Sequence, residues 1–255
     1  MKWKVIGQNA IGTSHTLSAK PCEDAISYQL VSTAQEDVLI CCVSDGAGSA
    51  LYAADASSLA AQRISELISE KVLNETEITE AVIIEIAEKI YDEIDSMAKE
   101  KGVPINEYSC TVLASVLYEN NSVFFQIGDG AIIIDDGDGN YVTVWWPQNG
   151  EYSNTTNFLI DDNHFGNLQM KISDQPVGEI AMTTDGLQML ILSNETHAVH
   201  QPFFADLFKV LRLAAKEEDI VTLNKKLAEY LNSDRINTRT DDDKTLFLAT
   251  RLGNG

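Results

Sequence analysis

Val38-Leu39-Ile40-Cys41-Cys42-Val43 runs without a break into Ser44-Asp45-Gly46-Ala47-Gly48. An apolar run that ends in a small acidic turn reads as a buried strand stopping at the edge of a sheet. Such a strand delivers one carboxylate, Asp45, to that edge. The glycines beside it let other atoms approach the backbone closely. The same device recurs along the chain. Val123-Phe124-Phe125 leads into Gln126-Ile127-Gly128-Asp129-Gly130, and Ile180-Ala181-Met182 leads into Thr183-Thr184-Asp185-Gly186. Asp241-Asp242-Asp243 stands just before Thr245-Leu246-Phe247-Leu248-Ala249. Strand-edge acids repeated in this way point to one shared cation site.

Upstream of Asp45, Trp3 to Ile11 alternates moderately and predicts a first strand. Gly12-Thr13-Ser14-His15 breaks it, and Thr16 to Cys22, with Pro21, reads as a loop. Glu23-Asp24 opens a second strand, Ala25 to Ser32. The short turn at Glu36-Asp37 makes this opening antiparallel. Downstream, Ala53, Ala56, Ala60, Ile64, Leu67 and Ile68 recur at three- and four-residue steps and predict a helix over Leu51 to Lys71. A second helix is predicted over Thr76 to Lys101, ended by Gly102 and Pro104.

The next block reads as strands over Ser109 to Leu117, Ser122 to Ile127, Ala131 to Ile134 and Tyr141 to Trp146. Residues 147–166 are polar and turn-rich, with one short strand expected at Phe158-Leu159-Ile160. Leu168 to Ile172, Glu179 to Thr183 and Leu187 to Leu192 are further strand candidates. Two more helical stripes follow, Phe204, Leu207, Phe208 and Leu211, then Leu223, Leu227, Tyr230 and Leu231. Thr245 to Leu252 is the last strand. Segregated runs of strands and helices are the pattern of an α+β layered fold, not of a doubly wound parallel sheet. Two mainly antiparallel sheets, each flanked by a helix pair in an αββα sandwich, would bury every stripe. The expectation is a single domain over residues 1–255.

The net charge of -21 repels nucleic acid and anionic membrane surfaces. The four cysteines form no CxxC pair, which argues against a zinc ribbon. Adjacent Cys41 and Cys42 read as small buried hydrophobes. The amino-terminal apolar run is too short for a signal peptide, and nothing approaches the roughly 20 apolar residues that span a bilayer. A reducing cytoplasm is the expected compartment.

Carboxylate oxygens are hard ligands, suited to magnesium, manganese or calcium. Held a few ångströms apart, they repel one another unless cations neutralise them. Two bridged divalent ions activate a water and clamp a phosphoryl group. In chain order the relevant motifs are Glu23-Asp24, Asp45-Gly46-Ala47-Gly48, Ser109-Cys110-Thr111, Gly128-Asp129-Gly130, Thr184-Asp185-Gly186 and Asp242-Asp243-Lys244-Thr245. This ordered set, with two helices after the first Asp-Gly, resembles the metal-dependent serine/threonine protein phosphatases of the 2C type. It is most similar to a divergent bacterial branch. The resemblance runs from about Gly12 to about Leu252.

The resemblance implies an αββα sandwich and two manganese or magnesium ions, with a third in bacterial-type members. Asp45 would bridge two ions and Gly46 would offer its carbonyl to one of them. Asp185 and Asp242 would hold the other ion. Glu23 would reach metal-bound water, and Asp24 would orient the site from behind. Asp129, with Asp185, would hold the third ion. A water would attack, with no covalent enzyme intermediate. The implied partners are phosphorylated proteins, the products of a serine/threonine kinase in bacterial signalling.

The family usually places an Arg before the acidic pair to grip phosphate. Here the segment Gly12 to Glu23 has none, and His15 stands near that place. His15 or Lys20 is the candidate to bind phosphate, and His15 to donate a proton to the leaving alkoxide. Gly130-Ala131 replaces the common Ser-Arg, and Lys244 occupies a slot that is usually apolar. Two readings follow. One is a metal-dependent phosphatase for phosphoserine and phosphothreonine. The other is a pseudophosphatase that keeps the fold and binds partners, which the absent Arg favours.

Overall fold

The computed structural model describes residues 3–147, 156–161 and 164–252. Part of the polar stretch 147–166, including Asn154-Thr155, lies outside the described residues. In chain order the elements are β1 (Lys4–Ala10), α1 (Thr13–Ser18), β2 (Asp24–Ser32), β3 (Asp37–Asp45), α2 (Ala53–Leu73) and α3 (Glu80–Lys101). Then come β4 (Val112–Leu117), β5 (Ser122–Ile127), β6 (Ala131–Asp135), β7 (Tyr141–Thr143), α4 (His164–Asn167), β8 (Gln169–Ser173) and β9 (Glu179–Thr183). The last are α5 (Gln188–Ile191), β10 (Leu192–Ser193), β11 (Ala198–Val199), α6 (Gln201–Leu213), α7 (Glu217–Leu231), α8 (Asp234–Asn237) and β12 (Lys244–Thr250). The chain divides into two compact units, each with its own sheet and core.

One unit comprises residues 23–129 and 147–176. Its sheet has the order β2-β3-β4-β5-β8, antiparallel throughout. Val38 to Ser44 are all buried, which explains why β3 reads as a continuous apolar run rather than an alternating one. Helix α2 packs on β2 and β3 through Ala56, Ala60, Ile64 and Ile68. Its alanines let the helix approach the strands closely. Helix α3 packs on α2 and buries Ile83, Ile86, Ile90 and Ile94. It starts at Glu80 rather than Thr76, because Thr79 is extended and its hydroxyl caps the Val82 N–H. Gly102, at φ 69°, ends it.

The other unit comprises residues 1–22, 130–146 and 177–255. Its sheet has the order β1-β12-β9-β6-β7, again antiparallel. Helices α6 and α7 cover it, α7 on β1 and α6 on β12. Phe204, Phe208, Leu211, Leu227 and Leu231 supply their buried stripe. A buried polar knot ties this unit together around Glu179, which is 2 % exposed. Arg212 Nη1 donates to both of its carboxylate oxygens, at 2.8 and 2.7 Å. The Tyr141 and Thr250 hydroxyls donate to it at 2.7 and 2.9 Å. Burial first, and then the hydrogen bond to Glu179, push the Tyr141 phenol far above its ordinary range, so it stays a donor.

The α+β class, with two antiparallel sheets and a helix pair for each, is the expected one. Four local expectations are corrected. Thr13–Ser18 is helical, not loop; it buries no residue and so carries no apolar period to read. Strand pairing after Tyr141 stops at Thr143 rather than Trp146. Phe158-Leu159-Ile160 is a turn; Leu159 and Ile160 are apolar because they plug the core beneath α2 and α3. Leu187 to Leu192 is mostly helical; Leu187 and Ile191 are buried four residues apart, the helical spacing.

Candidate active site

In the unit that holds β3, the ends of β2 and β3 bring the acids side by side. Asp24 and Asp45 are directly opposite each other in the antiparallel register. Like charges so placed destabilise a sheet unless something offsets them. Glu23 immediately precedes Asp24, and both are buried. The Asp45 backbone is pinned on both sides. Its N–H donates to Thr111 Oγ1 at 3.0 Å, and its carbonyl accepts from the Thr111 N–H at 2.8 Å. The Gly46 N–H donates to the Glu23 carbonyl at 3.0 Å, and Ser57 Oγ donates to the same oxygen at 2.5 Å. A Cβ at Gly46 would lie 2.6 Å from the Ala53 carbonyl oxygen. Only glycine lets the turn press against the start of α2.

Asp129 follows β5 and accepts from Thr156 Oγ1 at 2.5 Å. Gly128 has φ 117°, and a Cβ there would meet the Thr111 side chain at 2.6 Å. Thr111 thus touches both the Asp45 turn and the Asp129 turn. The Ser109-Cys110-Thr111 motif marked its place in the sequence but not this role.

In the other unit, Asp185 opens a single 3-10 turn, Asp185–Leu187, after β9. A Cβ at Gly186 would lie 1.9 Å from the Asp243 carbonyl oxygen. The Asp185 turn is therefore packed directly on the Asp242-Asp243 backbone. Asp242 is exposed, and its Oδ1 accepts from the Asp243 N–H at 2.8 Å. Asp243 is only 3 % exposed. Its Oδ1 accepts from the Gly12 N–H at 2.5 Å, and its Oδ2 lies 3.0 Å from His15 Nδ1. Ser14 donates to the Asp241 carbonyl through both its N–H, at 3.0 Å, and its hydroxyl, at 2.7 Å. The buried Lys244 Nζ donates to the Ile11 carbonyl at 3.1 Å and to Asn237 Oδ1 at 2.8 Å. Its unexpected charge is used to hold the segment before α1. The Lys20 N–H donates to the His15 carbonyl at 2.9 Å, closing α1.

Glu23, Asp24, Asp45 and Gly46 thus gather in one unit, with Asp129 linked to them through Thr111. His15, Asp185 and Asp242 gather in the other, with Lys20 at the end of α1. Among the described residues, no three His, Cys, Asp or Glu side chains stand in a metal-holding cluster.

The family model of protein phosphatase 2C matches residues 11–232. The chain belongs to the protein phosphatase 2C family. Serine/threonine-protein phosphatase 3 of Escherichia coli (strain K12) is 33 % identical, over 98 % of this chain and 98 % of that protein. Among solved structures, serine/threonine phosphatase Stp1 from Staphylococcus aureus matches with a TM-score of 0.63 at 14 % identity, covering 99 % of this chain and 96 % of that one. RsbX in complex with magnesium matches with a TM-score of 0.55 at 15 % identity, covering 97 % of this chain and 94 % of that one. These likenesses show the shared fold.

Protein phosphatase 2C enzymes depend on magnesium or manganese, and the donors expected from the sequence are of a kind that suits such an ion. They are carboxylates and one glycine carbonyl, with no thiolate or imidazole in the set. The Asp24–Asp45 pair is the kind of like-charge contact that a cation offsets.

Three thiols are buried in the same unit as Asp45. Burial pushes the Cys110 thiol up to about 12, and burial raises Cys41 and Cys42 further. Only Cys22 is partly exposed. A thiol reagent is expected to titrate one cysteine in the native protein and all four after denaturation; fast native labelling of Cys110 would contradict this.

Proposed function

We propose that this chain hydrolyses phosphoserine and phosphothreonine in proteins, as a metal-dependent phosphoprotein phosphatase. What supports this reading is membership of the protein phosphatase 2C family, together with a strand end or tight turn at each proposed acid. A decayed site would be expected to lose some of them, so the pseudophosphatase reading is not favoured.

Asp45, the Gly46 carbonyl, Asp185 and Asp242 are the proposed ligands of two manganese or magnesium ions, with Glu23 reaching through water and Asp129 serving a third. Such ions supply a Lewis acid and a water nucleophile at neutral pH. Asp24 orients the acids around Asp45. His15 and Lys20 take the place of the family's phosphate-gripping Arg. With Nδ1 tied to Asp243, His15 acts through Nε2, giving a proton to the departing serine or threonine oxygen.

The single-domain reading, residues 1–255, rests on a family model that runs through both units. Among the described residues no helix is long and apolar enough to cross a membrane. A cytoplasmic place in bacterial signalling, opposite a serine/threonine kinase, accords with the buried free thiols and the acidic charge. The test is hydrolysis of p-nitrophenyl phosphate with manganese, then of phosphopeptides. Activity is expected to vanish with a chelator and return with excess manganese. No metal-dependent turnover on either substrate would overturn the reading.

A further inference from the structure

The chain has five arginines. Arg63 is paired with Glu66 and Glu93, Arg212 with Glu179, and Arg251 lies over the Trp3 ring. Among the described residues, Arg235 and Arg239 have no carboxylate or ring partner. That is unexpected by chance, because acids outnumber bases 39 to 18 in this protein. Both side chains line one small cavity of about 60 Å³, with His200, Tyr230, Leu190, Phe203 and Ile236. Among the described residues, no carboxylate lines it.

The two arginines share a side. Arg235 lies in α8, and the turn continues past it, with the Arg239 N–H donating to the Ile236 carbonyl at 2.8 Å. Residues four apart on such a turn are neighbours, and both arginines, exposed to solvent, reach the same cavity. Both stand close enough to Tyr230 to oppose the rise that burial causes in its phenol. Guanidinium groups are the side chains best shaped for a carboxylate or phosphoryl oxyanion. At about 60 Å³ the cavity has room for a small group of that kind rather than for a whole cofactor.

Its place in the chain ties it to the catalytic acids of the same unit. Leu190 is five residues beyond Asp185. Arg239 is three residues before Asp242, a backbone span of at most about 11 Å.

We propose that this cavity is a substrate subsite for a second anionic group, a carboxylate or another phosphoryl, carried on the same phosphopeptide. The inference rests on the phosphatase reading and narrows its substrate class to segments with an acidic neighbour. Leu190, Phe203 and Ile236 give that neighbour's stem an apolar wall.

The test uses three synthetic phosphoserine peptides, flanked by glutamine, by aspartate or by a second phosphoserine. Wild type is expected to prefer either anionic peptide over the neutral one by about tenfold in kcat/KM, through KM. Arg235→Ala with Arg239→Ala is expected to erase that ratio, and the two Arg→Lys changes to restore part of it. Fluorescence anisotropy with the Asp45→Asn variant measures the same preference without turnover. A dead enzyme that still prefers the anionic peptides would sink the phosphatase reading and spare the subsite. Equal binding of all three peptides, or a preference that survives loss of both arginines, would overturn the subsite whatever the activity.

Discussion

Asp45→Asn is expected to lower kcat/KM on a phosphopeptide by on the order of 10³-fold, while the fold stays intact. Asparagine keeps the shape and the backbone hydrogen bonds to Thr111. It removes the charge proposed to bridge two cations. Changing a partner behind a metal ligand typically costs roughly 10–100-fold, and a bridging ligand should exceed that. A 10³-fold loss corresponds to about 4 kcal/mol of transition-state stabilisation. Asp45 also faces Asp24 directly across the strand pair. Without metal the variant should therefore melt no lower than the parent, since one like-charge contact is gone. Calorimetric titration with manganese should show weakened binding. Near-parental turnover at saturating manganese would refute the bridging role.

The largest stability effect is expected from Arg212→Met, a loss of about 3–5 kcal/mol, because it strands a buried charge. Glu179 would keep the Tyr141 and Thr250 hydroxyls but lose Arg212, which contacts both of its oxygens. Methionine fills much of the same space, so the loss reports charge rather than volume. Adding Glu179→Gln should recover a good part of it, because the orphaned charge is removed as well. Urea unfolding of the single and double variants measures this directly. A loss under about 1 kcal/mol for Arg212→Met would show that water reaches Glu179 and carries its charge.

The parts of the fold that were legible share one property: their signal is local. β3, β5 and β9 are apolar runs cut off by Asp-Gly turns, and the helices α2, α3, α6 and α7 bury stripes at helical spacing. The acids Asp45, Asp129 and Asp185 could be named from those cuts alone. α1 could not, because a helix with no buried residue leaves no period. Leu159 and Ile160 misled for the opposite reason, being apolar for the core and not for a ladder. His15 stands out in the sequence, but its partner does not. Asp243 lies 228 residues away, and nothing in either neighbourhood advertises the pair. The Asp243 contact to Gly12 and the Lys244 contact to Ile11 were hidden by the same separation. Arg235 and Arg239 became informative only once every other arginine was seen to be occupied.

Among the described residues, β1 is an edge strand whose sheet partner is β12, far along the chain. Its seven residues are made long before residues 244–250, and they must wait for them before they can pair. The block from β2 to β5 faces no such delay, since four of its five strands are contiguous in the chain. During synthesis the Asp45 side is therefore built early. The Gly12–Asp243 clamp, and with it the setting of His15, closes only once residue 243 has been made. The order of synthesis alone therefore sets the His15 side behind the Asp45 side.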